Sequence, residues 1–227
     1  MTRFKICGVR SADHARAAEE AGASFLGFVF VEGVRRQLAV DEAKAIIGEY
    51  RAQRGDAPGP SLAGLFADQT AEYVSDVVER CGLDYVQLCG SEGPEYWDRM
   101  PVPVLRAVRI RDDGVRDAVV RDTLEIVQEI ADHGQTPHLD TYRPEQPGGT
   151  GHTFDWAIAA AVTQRFNVIL AGGLTPENVG AAIAAANPWC VDVSSGVETD
   201  GAKDPAKIRA FADAVRAADA TLTSLQE

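Results

Sequence analysis

At 227 residues the chain is long for one simple domain and short for two, a length at which α/β barrels run as single domains. Apolar residues make up 45% and charged residues 25%, enough to fill a sizeable core. The net charge of −12 argues against a nucleic-acid or anionic-membrane surface, and any phosphate ligand has to be held locally by backbone N–H groups or a few placed cations.

Short β-rich runs alternate with helical patterns along the whole chain. RFKICG (3–8) predicts a strand, followed by a helix with Ser11 at its N-cap and Gly22 at its end. FLGFVFV (25–31) is a second strand. Asp41 is expected to cap the next helix, and RGDAPGP (54–60) turns the chain. SLAGLFA (61–67) is a third strand, TAEYVSDVVERCG (70–82) a helix, and DYVQLCG (84–90) and PVPVLRAVRI (101–110) are strands four and five. Residues 113–133 have helical periodicity, with Val119, Ile126, Val127 and Ile130 on the apolar face. TPHLDT (136–141) reads as strand six, TFDWAIAAAVTQR as a helix and NVILAGG (167–173) as strand seven. In TPENVGAAIAAAN, Thr175 is the expected cap and Pro176 the first helical position. WCVDVSSG (189–196) is the last strand and residues 204–220 form the last helix.

Eight strands alternating with seven or eight helices, with no two consecutive strands close enough for a hairpin, predict a parallel α/β fold. That number of repeats suits a (β/α)8 TIM barrel occupying residues 1–227 as a single domain. A doubly wound sheet is the alternative, but no G-x-G-x-x-G follows the first strand. The four cysteines, at 7, 81, 89 and 190, form no CxxC pair and no zinc pattern. The start has no charged region followed by an apolar run, and no apolar stretch reaches the roughly 18 residues of a membrane helix. A reduced, cytoplasmic protein is expected, with neither nucleic acid nor membrane as partner.

In a barrel the chemistry lies at the C-terminal ends of the strands. The polar residues there are Cys7, Arg35 and Arg36, Asp68, Gln87 and Cys89, Arg109 and Arg111, Asp140, and finally Asp192, Ser194 and Ser195. Strand side chains alternate, so Lys5 shares a face with Cys7, Gln87 with Cys89, His138 with Asp140, and Asp192 with Ser194. A face carrying lysine, aspartate and glutamine should point into the barrel top. Taken alone, Cys7 would read as a buried, inert thiol; its position at a strand end makes it a candidate for chemistry.

Three glycine-rich stretches, PGGTGH (147–152), AGGLTP (171–176) and SSGVE (194–198), add a second signal. Two of them follow strands seven and eight, where barrels hold phosphate with loop amides. The candidate phosphate-binding residues are Gly149, Gly151, Gly172, Gly173, Ser194, Ser195 and Gly196.

KICG (5–8), GFVF (27–30), VQLCG (86–90), LDT (139–141), GGTGHTFDW (148–156), AGGL (171–174) and VDVSSGVE (191–198) together resemble phosphoribosylanthranilate isomerase, in order and over nearly the whole chain. The resemblance implies an Amadori rearrangement of N-(5-phosphoribosyl)anthranilate in tryptophan biosynthesis, with a small phosphorylated substrate, no metal and no organic cofactor. It implies Cys7 as general base and Asp140 as general acid. It also implies Arg36 at the anthranilate carboxylate and Asp192 near the anthranilate amine; Gln87, from its place at a strand end, is a further candidate substrate contact. The family includes monomers and homodimers. Another phosphosugar isomerase or epimerase, or a non-catalytic phosphosugar-binding barrel, are the alternatives.

The sequence departs from the family pattern at Cys89, where histidine is usual, at His152 instead of lysine, and at Gln37 instead of an aromatic, which leaves Arg35 open beside Arg36. Cys89 is expected to be a small apolar replacement, and His138 a satisfied core histidine outside the mechanism. Lys5, two residues before Cys7, is the expected source of a lowered thiol pKa.

Overall fold

The computed structural model describes residues 1–55, 57–111, 114–141 and 154–224. Its first strand, β1 (Arg3–Cys7), buries four successive residues, Phe4 to Cys7, and so must be covered on both faces. It pairs in parallel with β2 (Phe25–Val29), which is buried throughout. Around the ring follow β3 (Ser61–Phe66), β4 (Tyr85–Leu88), β5 (Val104–Ile110), β6 (Thr136–Thr141), β7 (Ile169–Leu170) and β8 (Cys190–Val193). Every neighbouring pair is parallel, and β8 closes on β1 from Arg3 opposite Cys190 to Ile6 opposite Val193. Closure excludes the doubly wound alternative.

The helices are α1 (Ala12–Glu20), α2 (Val40–Arg54), α3 (Ala71–Cys81), the four-residue α4 (Pro94–Trp97), α5 (Arg116–Asp132), α6 (Trp156–Thr163), α7 (Val179–Ala186) and α8 (Pro205–Ser224). Ser11 caps α1 by accepting the His14 N–H, and Thr70 caps α3 by accepting that of Tyr73. Among the described residues, no helix is long and apolar enough to cross a membrane.

Four local expectations need correction. Helix α2 starts at Val40 with Ala39 as its cap; Asp41 sits inside the first turn, where the helix dipole favours its carboxylate, and pairs with Arg80. Helix α7 starts at Val179, not after Thr175. A turn precedes it, in which Asn178 Oδ1 accepts the Thr175 N–H and Thr175 Oγ1 accepts the Glu177 N–H. On α5 the buried stripe is Thr123, Val127 and Ile130, and Ile126 at its edge is 47% exposed.

The fourth correction is a hairpin. After the 3-10 turn η1 (Ser195–Val197), β9 (Glu198–Thr199) and β10 (Ala202–Lys203) pair antiparallel across Asp200 and Gly201. Both turn residues have positive φ, 51° and 80°, which is the backbone a two-residue Asp-Gly hairpin turn demands. Strands of two residues are too short to give an alternating pattern, so only the Asp-Gly pair announced them.

Candidate active site

A cavity of about 420 Å³ opens at the carboxyl ends of the strands, within the size range of small-ligand sites. Of the predicted residues, Cys7, Arg36, Gln87, Asp140, Gly172, Gly173, Asp192, Ser194 and Ser195 all line it. Gly196 lies just outside that lining; its backbone approaches the Leu174 carbonyl so closely that a Cβ would collide with it. Gly149, Gly151 and His152 lie outside the described residues.

Cys7 ends β1 inside the barrel. Gly8 then turns the chain with φ 81°, and a side chain there would run into Arg36. Across the β1–β2 seam Gly27 has no Cβ, and one would lie 3.0 Å from Cys7 Sγ, so two glycines make the room in which thiol and guanidinium sit. Ser194 Oγ donates to the Cys7 carbonyl at 3.0 Å, tying the first strand end to the last.

Below the thiol, Lys5 is fully buried and its Nζ lies 2.6 Å from Asp192 Oδ2. His138 Nε2 lies 2.8 Å from the same oxygen. Burial opposes the Asp192 charge, yet Lys5 and His138 hold its pKa down to about 2. Burial likewise works against the Lys5 ammonium, but Asp192 and Cys7 raise its pKa above the ordinary lysine value.

The Cys7 thiol does not follow the expected direction. Burial pushes its pKa above the ordinary 9.0, Lys5 and Lys203 oppose that rise, and Asp192 adds to it. Burial outweighs the Lys5 charge, and Asp192, paired with that lysine at 2.6 Å, opposes it as well. Asp140 does follow the direction that an acid requires. Burial raises it above 3.8, against the pull of His138, the Thr141 N–H and Arg109.

The two arginines separate clearly. Arg36 is 16% exposed, lines the cavity and is held in a fork by Glu198, Nε to Oε1 at 2.7 Å and Nη2 to Oε2 at 2.9 Å. Arg35 is 52% exposed, stands outside the cavity and buttresses the same carboxylate at 2.5 Å. Lys203, on β10, completes the cluster by donating to Glu198 Oε1 and to the Ser194 carbonyl, each at 2.8 Å. Burial disfavours the Glu198 charge, but these three cations hold its pKa down to about 2. Glu198 and Lys203 were missed as site residues. Glu198 stood in plain sight at the end of DVSSGVE; Lys203 reaches the site only through the hairpin.

The glycine-rich loop after β7 turns through left-handed backbone. Gly172 and Gly173 take φ 90° and 66°, and a Cβ on Gly172 would strike Thr141. Among the described residues, the N–H groups of Gly172, Gly173, Ser195 and Gly196 meet no backbone or side-chain acceptor.

On β4, Gln87 is 3% exposed and its Nε2 donates to Cys89 Sγ at 3.6 Å; burial pushes the Cys89 thiol up to about 12, so it is neutral. Arg109 lines the cavity and donates to the Cys89 carbonyl at 2.8 Å. Asp68 serves its loop instead of the cavity, accepting from the Ser91 N–H and hydroxyl, both at 2.6 Å. His138 is only half satisfied: Nε2 has Asp192, but the buried Nδ1 has no partner among the described residues, and the ring lines the cavity.

A closed (β/α)8 barrel whose polar residues converge on one cavity at the strand ends is the architecture of a barrel enzyme. Known proteins narrow the class. The profile for N-(5'phosphoribosyl)anthranilate (PRA) isomerase matches residues 4–214. The N-(5'-phosphoribosyl)anthranilate isomerase of Roseiflexus castenholzii is 45% identical over 217 residues, which cover 95% of this chain and 98% of that protein. The crystal structure of phosphoribosyl anthranilate isomerase from Thermotoga maritima superposes with a TM-score of 0.82 at 33% identity, covering 96% of this chain and 100% of that one. A phosphoribosyl anthranilate isomerase in complex with reduced 1-(o-carboxyphenylamino)-1-deoxyribulose 5-phosphate superposes with a TM-score of 0.78 at 30% identity, with the same coverage. The chain belongs to the N-(5'-phosphoribosyl)anthranilate isomerase family. It is an isomerase of tryptophan biosynthesis, an intramolecular oxidoreductase that converts an aldose to a ketose.

Proposed function

We propose that residues 1–227 act as one cytoplasmic barrel domain that rearranges N-(5-phosphoribosyl)anthranilate to 1-(2-carboxyphenylamino)-1-deoxyribulose 5-phosphate, with Asp140 as general acid and Cys7 as general base. One observation carries the assignment: both groups line a single cavity together with Arg36 and the amides of two glycine-rich loops. The complex of a relative with a reduced form of the product supports the choice of ligand.

Opening the ribose ring breaks the bond between C1′ and the ring oxygen while the anthranilate nitrogen lone pair forms C=N. The leaving oxygen needs a proton, and the burial that raises Asp140 keeps a proton available there. The iminium then loses its C2′ proton, and the electron pair moves into an enaminol that becomes the ketone. Cys7, ionised beforehand with the Lys5 ammonium stabilising its thiolate, accepts that proton and becomes the neutral thiol. One proton is given and one taken, as an isomerisation requires.

Glu198 takes Nε and Nη2 of Arg36, which leaves Nη1 without a partner among the described residues and fitted to the anthranilate carboxylate. The amides at Gly172, Gly173 and Ser195 would carry the 5′-phosphate, with Ser194 and Gly196 beside them; Gly149 and Gly151, in the separate stretch between β6 and α6, lie outside the described residues. Loss of the fluorescence of phosphoribosylanthranilate tests the reading. Wild type should turn it over, and Cys7→Ala and Asp140→Asn should each lower kcat by at least about 10²-fold. A variant with near-normal turnover removes its residue from the mechanism.

A further inference from the structure

His138 stands two residues before Asp140 on β6, so both side chains enter the barrel from one strand face. The ring is 2% exposed and lines the cavity. Its Nε2 lies 2.8 Å from Asp192 Oδ2, an oxygen that also accepts from Lys5 Nζ at 2.6 Å. An ionised carboxylate can only accept, so the proton of this contact belongs to His138 Nε2. In the neutral ring Nδ1 is then a lone pair, and it is an acceptor.

Nδ1 is buried and has no hydrogen-bond partner among the described residues. Two further acceptors lining the same cavity, Gln87 Oε1 and Asp192 Oδ1, are likewise buried and unpartnered. Buried acceptors are costly to leave unmet. All three belong to residues that line one cavity, and a ribose is rich in hydroxyl donors.

We propose that His138 binds the substrate, its Nδ1 accepting a hydrogen bond from a ribose hydroxyl, while Asp192 fixes the tautomer that makes Nδ1 an acceptor. The inference rests on the isomerase reading and adds to it a contact on β6 that selects a hydroxylated sugar. It assigns Asp192 a second task, since the carboxylate that receives Lys5 also orients the ring.

Two amide substitutions separate this contact from a purely structural role. Asparagine places its amide near the position of Nδ1, and glutamine places its amide near that of Nε2. His138→Leu should lose about 10- to 100-fold in kcat/KM, the range for a buried hydrogen bond left unmet. His138→Asn should keep more activity than His138→Gln, with the difference mainly in KM. If glutamine serves as well as asparagine, the ring only braces Asp192 and the proposal fails.

The ¹⁵N spectrum of wild type gives an answer independent of how the variants fold. Free enzyme should show the Nε2–H tautomer, and the rearranged product should shift the Nδ1 resonance upfield where inorganic phosphate alone does not. An unmoved Nδ1 overturns the contact. Absence of turnover in wild type would instead sink the isomerase reading, so the two failures are distinct.

Discussion

Two layers of the same barrel interior, one pleat apart on β4 and β8, are built from opposite chemistry. The lower layer joins Phe25, Ala63, Leu105, Ile169 and Cys190, with Tyr85 edge-on to the Phe25 ring at a centroid distance of 5.4 Å. Two residues further along, Tyr85 gives way to Gln87 and Cys190 to Asp192, and the upper layer holds Lys5, Gln87, His138 and Asp192. The lower layer hides apolar surface and asks nothing of its partners. The upper layer takes charges out of water, and each must find its counterpart inside the protein. A buried ion pair seldom stabilises a fold more than apolar packing of equal volume would. The difference teaches that the strands carry stability at one end and chemistry at the other.

The largest break in that comparison is Lys5→Met. It strands a buried carboxylate, and unfolding in urea should show a loss of about 3–5 kcal/mol. The thiolate loses its nearby cation too, so absorbance titration should find the Cys7 pKa higher still. Adding Asp192→Leu should restore much of the stability but none of the turnover, because the pair would be replaced by packing. A double variant that recovers activity contradicts the division of labour.

A second contrast is acid sensitivity. Asp192 and Glu198 have folded pKa values depressed to about 2. Their contribution is therefore complete above the unfolded carboxylate values and is lost as pH falls from about 4 toward 2. Denaturation followed by circular dichroism should place the steep loss of stability in that window, and Asp192→Asn should flatten it.

The acid and base sharpen the comparison in turnover. Both pKa values are raised, so kcat/KM should be level at intermediate pH. It should fall on the acid side at a pH above 3.8, as Asp140 and Cys7 both become protonated, and on the alkaline side above 9.0, as both ionise. An alkaline limb well below 9.0 would mean that Cys7 is not the base.

The smallest effect belongs to the lower layer. Ile169→Val removes one methylene from a fully buried site and should cost about 0.5–1.5 kcal/mol. The shape of the acid transition and kcat should both stay unchanged, as measured in the same urea and fluorescence experiments.

Much of this was legible in sequence. All eight strands fall within their predicted runs because short β-rich runs and glycine or proline stops are local properties. The elements that failed were those with little local signal: the two-residue strands of the hairpin, the four-residue helix at Pro94–Trp97, and the turn that delays α7 to Val179. At the site, alternation alone brought Cys7, Gln87, Asp140, Asp192 and Ser194 to one cavity. It could not place Lys203, whose position depends on a turn through Asp200 and Gly201.

The sequence by itself determined the number of repeats and the inward face of each strand, which are written in spacing along the chain, and the resemblance to the family, which is carried by the residues of its motifs. Tertiary structure decided where the charges go. Lys5 meets Asp192 across 187 residues of chain, and His138 meets it across 54, so a lysine expected to act chiefly on its neighbour Cys7 is claimed by a distant carboxylate. Glu198 likewise faces Arg36 to the cavity and leaves Arg35 outside. Electrostatic interactions follow separation in space and the water excluded between the groups, and neither is set until the barrel closes.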